Sequence, residues 1–153
     1  MEIRTIEDLY KVINENEPVF QETFNNCENG FAILQLPIEC NYKFRDYEDI
    51  VEYLHKEPDR NDYRVLYAEE AKTFGVRGND FESSDAITHI LEGIFVRFNV
   101  GERAENYYGT SVSVSDVIVI KINNEARAYY VGGCGYNKLN NFVVWCYEVM
   151  FYY

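Results

Sequence analysis

Basic charge is scarce in this chain. Its 153 residues carry 14 Lys and Arg against 26 Asp and Glu, a net charge of −12, which produces a field that repels phosphate backbones and argues against direct nucleic-acid binding. Long apolar runs are missing too. No stretch reaches the ~18 residues of a membrane-spanning helix, and the opening MEIRTIEDLY is acidic, without the apolar core of a secretory signal. Cys27, Cys40, Cys134 and Cys146 form no C-x-x-C pair and no zinc-type spacing with His55 or His89. A cytoplasmic protein with reduced thiols, no metal, no cofactor and no membrane partner is therefore expected. The glycines fit no phosphate-cradling pattern, since no G-x-G-x-x-G or G-x-x-x-x-G-K leads from a strand into a helix.

What the chain does have is apolar and aromatic mass. Hydrophobic residues make up 47% and aromatics 16%, enough to offset the entropy of ordering one domain and to exclude a disordered chain. Ile6, Leu9, Tyr10 and Ile13 recur at helical spacing, and they predict a first helix over Thr5–Asn16. Thr5 is its cap, and Pro18 lies just past its end. FAILQLPI, 31–38, reads as a strand, followed by a helix from Asp46 to about Lys56 with Tyr47, Ile50, Val51 and Leu54 inward. YRVLYA, 63–68, is a second strand, and the loop with Gly75 and Gly78 should be the least ordered part. A third helix, capped by Ser83 or Ser84 and reaching Asn99, is expected to be the longest. Residues 111–122 and 126–131 predict a hairpin around Asn123-Asn124, because Asn tolerates positive φ. A final β-prone stretch covers 142–153; it is expected in the core, with self-association of an edge strand as the alternative.

The expected architecture is one α+β domain over 1–153, with three helices packed on a mainly antiparallel sheet of about five strands. Within it, 1–30 would be a helical extension and 143–153 an apolar terminal strand. Charge divides unevenly. Residues 1–105 hold 23 acids and 11 bases, whereas residues 106–153 hold three of each together with eight of the 14 tyrosines.

Residues 107–142, YYGTSVSVSDVIVIKINNEARAYYVGGCGYNKLNNF, resemble the signature of the YodL-like domain. The likeness lies in the Ser113-Val114-Ser115-Asp116 strand entry, the hairpin ending in Ala128-Tyr129-Tyr130, and the Gly135-Tyr136 turn. Upstream, FAILQL, YRVLYAEE and the helix near 86–99 follow in the family's order, so the likeness covers roughly residues 31–142. The resemblance implies a setting in mobile genetic elements and phages of low-GC Gram-positive bacteria, and it implies no particular activity. One departure stands out: Gly132-Gly133-Cys134-Gly135-Tyr136 replaces a turn resembling Asp-Ser-Phe-Gly-Phe, with an apolar residue at the place of Cys134.

Three functional readings follow. Acids cluster on or beside the second helix (Asp46, Glu48, Asp49, Glu52, Glu57) and the first (Glu2, Glu7, Asp8, Glu15, Glu17, Glu22). A one-sided carboxylate surface can imitate a phosphate array and occupy the basic groove of a nucleic-acid-binding protein. The leading expectation is accordingly a small non-enzymatic accessory protein of a mobile element. It would bind a protein partner, with exposed tyrosines as anchors. In its sharper form it is an inhibitor of a host nucleic-acid-processing defence system by DNA mimicry. Solubility and helix capping are the bland account of the same acids. The second reading is an enzyme using Asp116 with Ser113 and Ser115, or Cys134 with His55 or His89 as base; the bland account makes Ser115 and Asp116 turn-fixing residues, Cys134 a plain turn thiol and His89 a partly buried structural histidine. The third is an interaction domain for the element's own machinery.

Overall fold

The computed structural model describes residues 2–71, 84–101 and 104–142. Helix α1 spans Ile6–Asn26, α2 Tyr47–Leu54 and α3 Ser84–Asn99. The strands are β1 (Gly30–Gln35), β2 (Arg64–Glu70), β3 (Val117–Ile122), β4 (Glu125–Val131) and β5 (Tyr136–Leu139). They form one sheet in the order β2-β1-β3-β4-β5, and every neighbouring pair is antiparallel. This is the α+β arrangement of three helices and five strands that the apolar periodicity implies.

The centre of the sheet is apolar because of two runs, GFAILQ in β1 and VIVIKI in β3, which are buried at every position. Such continuous burial is the mark of strands covered on both faces. Lys121, the one cation in these runs, is accommodated because its Nζ donates to the Phe24 and Asn25 carbonyls, the orphan acceptors at the end of α1. Above the sheet, Phe20 of α1 and Phe98 of α3 both meet Tyr67 of β2, with ring centroids 5.4 Å away in each case. Asn123 and Asn124 take φ of 50° and 68°, the two positive values of a type I′ hairpin turn between β3 and β4.

Several expectations are corrected. The first helix does not stop before Pro18. It contains Pro18 and runs 21 residues, so among the described residues α1 and not α3 is the longest helix. Pro18 forfeits one intrahelical bond, but it sits on the exposed side while Phe20 and Phe24 are buried beyond it, and that burial carries the helix on. Thr5 caps as expected, its side chain accepting from the Asp8 N–H. The segment 1–30 is no mere extension, since Ile13, Phe20 and Phe24 belong to the core. Strand β3 starts only at Val117, because 113–116 forms a turn. The fifth strand among the described residues is Tyr136–Leu139. Residues 143–153, the loop with Gly75 and Gly78, Ser83 and Cys146 lie outside the described residues.

Candidate functional site

The sharpest motif, Ser113 to Asp116, is a closed turn fastened to three other segments. Asp116 N–H donates to the Ser113 carbonyl at 3.0 Å, and Ser113 N–H donates back to Asp116 Oδ2 at 2.8 Å. Ser115, at φ 84°, lies in the left-handed region that non-glycine residues rarely adopt. Its Oγ accepts from the Phe44 N–H at 2.9 Å and its carbonyl from the Tyr63 hydroxyl at 2.7 Å, while its N–H donates to Val131. Phe44 is itself left-handed, at φ 71°, so two strained residues face each other across one hydrogen bond. Tyr130 fixes the same loop by donating its hydroxyl to the Arg45 carbonyl.

Asp116 is wholly buried. Gln35 Nε2 donates to its Oδ2 at 3.0 Å and also reaches the Tyr107 hydroxyl and the Thr110 carbonyl. Its Oδ1 has no hydrogen-bond partner, and the nearest cation, Lys43 Nζ, stands 3.9 Å away. Burial pushes the Asp116 carboxyl up to about 7, against the Ser113 N–H, Lys43 and Gln35, which all favour the anion. Lys43 is also buried, donates to the Leu36 carbonyl at 2.7 Å, and has its pKa lowered chiefly by desolvation. Gln35, Lys43, Tyr107 and Thr110 are not singled out by sequence pattern. A lone polar residue inside FAILQLPI was the available signal for Gln35, and Lys43 in NYKFR offered none.

Next to this network is a cleft of about 90 Å³ lined by Ile6, Leu9, Tyr10 and Ile13 of α1, by residues 35–38, Lys43, Arg64 and Leu66, and by residues 108–110. Asp116 lies behind Lys43 and does not line it. Ser113, Ser115 and Asp116 thus share one turn away from the cleft, whereas Cys134, His55 and His89 lie on three separate elements. Ser115 Oγ is held by the Phe44 N–H, Ser113 joins the turn through its backbone N–H and carbonyl, and Cys134 is exposed on the turn between β4 and β5. His55 is the left-handed C-cap of α2, and His89 is exposed rather than partly buried, because its helical position faces away from Ile87 and Ile90. The glycines of that turn serve close approach: a Cβ on Gly132 would come within 2.8 Å of Asp46 Oδ1, and Gly133 N–H donates to the same oxygen at 3.3 Å. Cys27, Cys40 and Cys134 are free thiols, and no group of three or more potential metal ligands occurs among the described residues.

The acids separate into two sets. On α2, Asp46 caps the helix by accepting from Tyr47 N–H at 2.9 Å, Asp49 pairs with Arg45 at 3.1 Å, and Glu57 accepts from the Tyr47 hydroxyl and the Asn140 N–H. Asp46 and Asp49 are exposed but engaged, Glu48 and Glu52 are exposed without an ion pair among the described residues, and Arg45 and Lys56 are interspersed. On α1, Glu2, Asp8 and Glu17 are engaged by Arg4 or by Arg64 and Val65. Glu7, Glu15 and Glu22 are exposed, and with Lys11 and Pro18 they follow i, i+4, i+8, i+11 and i+15, one stripe opposite the buried face. Tyrosines add little exposed surface. Tyr63, Tyr67, Tyr107, Tyr129 and Tyr130 are buried, and Tyr53 is the exposed one among the described residues.

No helix among the described residues is long and apolar enough to cross a membrane. No curated protein and no solved structure matches the chain significantly. The family model of the YodL-like domain matches residues 30–142, from the first residue of β1 to just beyond β5, and so takes in the whole sheet and the Ser113–Asp116 turn. On that match, the chain belongs to the YodL-like domain family.

Proposed function

We propose that this domain is a non-enzymatic protein-binding module of a mobile element, and that its partner presents a basic, nucleic-acid-binding surface. The observation that carries the reading is the outer stripe of α1. Glu7, Glu15 and Glu22 are exposed over about 22 Å of helix, at 1.5 Å per residue, with Lys11 the one cation in the row. Such a row supplies fast encounter and electrostatic complementarity to a groove built for polyanion. This moves the proposed contact from α2, whose acids are largely taken up by capping and ion pairs, to α1. Polyanion mimicry directed at a host defence nuclease is the narrower form of the proposal.

The test is capture from a bacterial host lysate by the tagged chain, with heparin as competitor. Capture of nucleic-acid-binding proteins that heparin and rising salt both displace is the expected result, abolished by combined Glu7→Lys, Glu15→Lys and Glu22→Lys. Capture indifferent to heparin and to those three changes would remove the proposal.

A further inference from the structure

We infer that the cleft between α1 and the end of β1 is the docking site for one apolar side chain of a basic protein segment, a leucine or phenylalanine flanked by lysines or arginines. The basic partner rests on the function proposed above, and the cleft supplies its anchor point. The surface that the cleft shows is almost wholly apolar. Leu9, Ile13, Leu36 and Leu66 form its walls, and Ile6 and Ile38, 56% and 58% exposed, form a lip open to solvent. Such a groove takes an apolar anchor from a partner's segment, and water leaving both surfaces drives the contact.

Inside the cleft, charge plays no part. Lys43 Nζ donates to the Leu36 carbonyl and faces Asp116 at 3.9 Å, and Arg64 pairs with Glu17 at 3.6 Å. A floor of this kind rejects a polar head, which would lose its water and gain no partner.

At the rim, charge is negative. Glu7 follows Ile6 of the lip, and Glu39 follows Ile38 and holds the hydroxyl of Tyr10, which lines the cleft. Both acids are exposed and form no ion pair among the described residues. The Tyr10 hydroxyl holds the Glu39 carboxyl below its usual range, so it is anionic at neutral pH. Of the cations nearby, Arg4 is paired with Glu2 and Arg64 with Glu17, and Lys11 lies on the outward stripe of α1. An apolar floor between two unpaired carboxylates is complementary to an apolar side chain between cations. An acidic segment meets like charge here, and so does a second copy of this chain, which brings its own −12.

The experiment is a titration of the full chain with the peptide Gly-Lys-Gly-Lys-Leu-Lys-Gly-Lys-Gly, read by amide chemical shifts. Its counterparts carry phenylalanine or glycine at the centre, or glutamate in place of every lysine. The leucine or the phenylalanine peptide should give saturable shifts at residues 6–13, 36–39, 66 and 108–110, weakened by added salt. The glycine peptide should bind at least about tenfold more weakly, the worth of one buried apolar side chain, and the glutamate peptide should not bind. Ile6→Gln with Ile38→Gln, both at exposed positions, should reduce the better binder to the level of the glycine peptide while lowering the melting temperature by no more than about 4 °C. Equal binding of all three lysine peptides, or shifts elsewhere than the cleft, would overturn the inference. A larger fall in melting temperature would show that the chain itself fills the cleft, and a dimer dissociated by the two changes would assign it to a second copy; either result overturns it too. Lysate capture separates this inference from the function it rests on. Capture indifferent to heparin, with anchor-dependent peptide binding intact, removes the basic partner and keeps the cleft as an anchor site; heparin-sensitive capture with equal peptide binding removes the cleft alone.

Discussion

On α2, Asp46, Asp49 and Glu57 are each taken up by a cap, an arginine or a neighbouring loop, whereas on α1 Glu7, Glu15 and Glu22 form no hydrogen bond or ion pair among the described residues and face solvent in a row. Both helices are rich in acids, so composition does not separate them. Position does. Acids at the two ends of an eight-residue helix lie within reach of its own termini and of adjoining turns, such as the Gly132–Gly135 turn that packs on Asp46. Acids spaced along the outward stripe of a 21-residue helix reach nothing but solvent. Asp116 stands at the other extreme, a carboxylate enclosed by the fold and facing a single buried lysine.

The largest expected effect comes from the enclosed acid. Asp116→Ala leaves Lys43 without its ion-pair partner and frees the Ser113 N–H and Gln35 amide; breaking a buried pair in this way costs about 3–5 kcal/mol, measurable by urea denaturation. A smaller loss should bring out its titration. Because the folded carboxyl is raised to about 7, the native state holds that proton after the unfolded chain has released it at ~3.9. The Asp116 contribution to stability is therefore fully present below pH ~4 and lost as pH rises to about 7. Asp116→Asn should flatten the stability profile in that window, and an unchanged profile would show that the carboxyl does not titrate there.

Next in size is the cap. Asp46→Ala should cost about 1 kcal/mol and also loosen the glycine turn, whereas Glu48→Ala and Glu52→Ala should each stay within about 0.5 kcal/mol by thermal melting. The smallest change in stability belongs to α1. Each of Glu7→Lys, Glu15→Lys and Glu22→Lys should alter it by no more than about 0.5 kcal/mol, while together they abolish heparin-sensitive partner capture. A large loss of stability from these three would erase the contrast between the helices.

Much of this arrangement was legible in the residues. Thr5 and Asp46 read as caps, Asn123-Asn124 as a turn, and the apolar runs of β1 and β3 as strands, because each depends on neighbours within a few positions. Pro18 misled, since its local cost was outweighed by burial of Phe20 and Phe24 beyond it. The motif Ser113–Asp116 was visible as a pattern, but its partners were not. Gln35 lies 81 residues from Asp116, and the bond between Phe44 and Ser115 spans 71. Separations of that kind carry no period and no spacing for a reader of the chain to use.

By itself, then, the sequence determined the α+β class, the order of elements, the family signature and the uneven distribution of charge, all of which follow from local propensity and periodicity. Only the tertiary structure decided which acids are spent. It put β1, from the acidic part of the chain, between β2 and β3, so that the acidic and neutral halves share one sheet. It also enclosed Asp116 against Lys43 and left an apolar cleft between α1 and the end of β1. The physical reason is that burial and ion pairing depend on distance through space, and folding brings together groups that lie far apart along the chain.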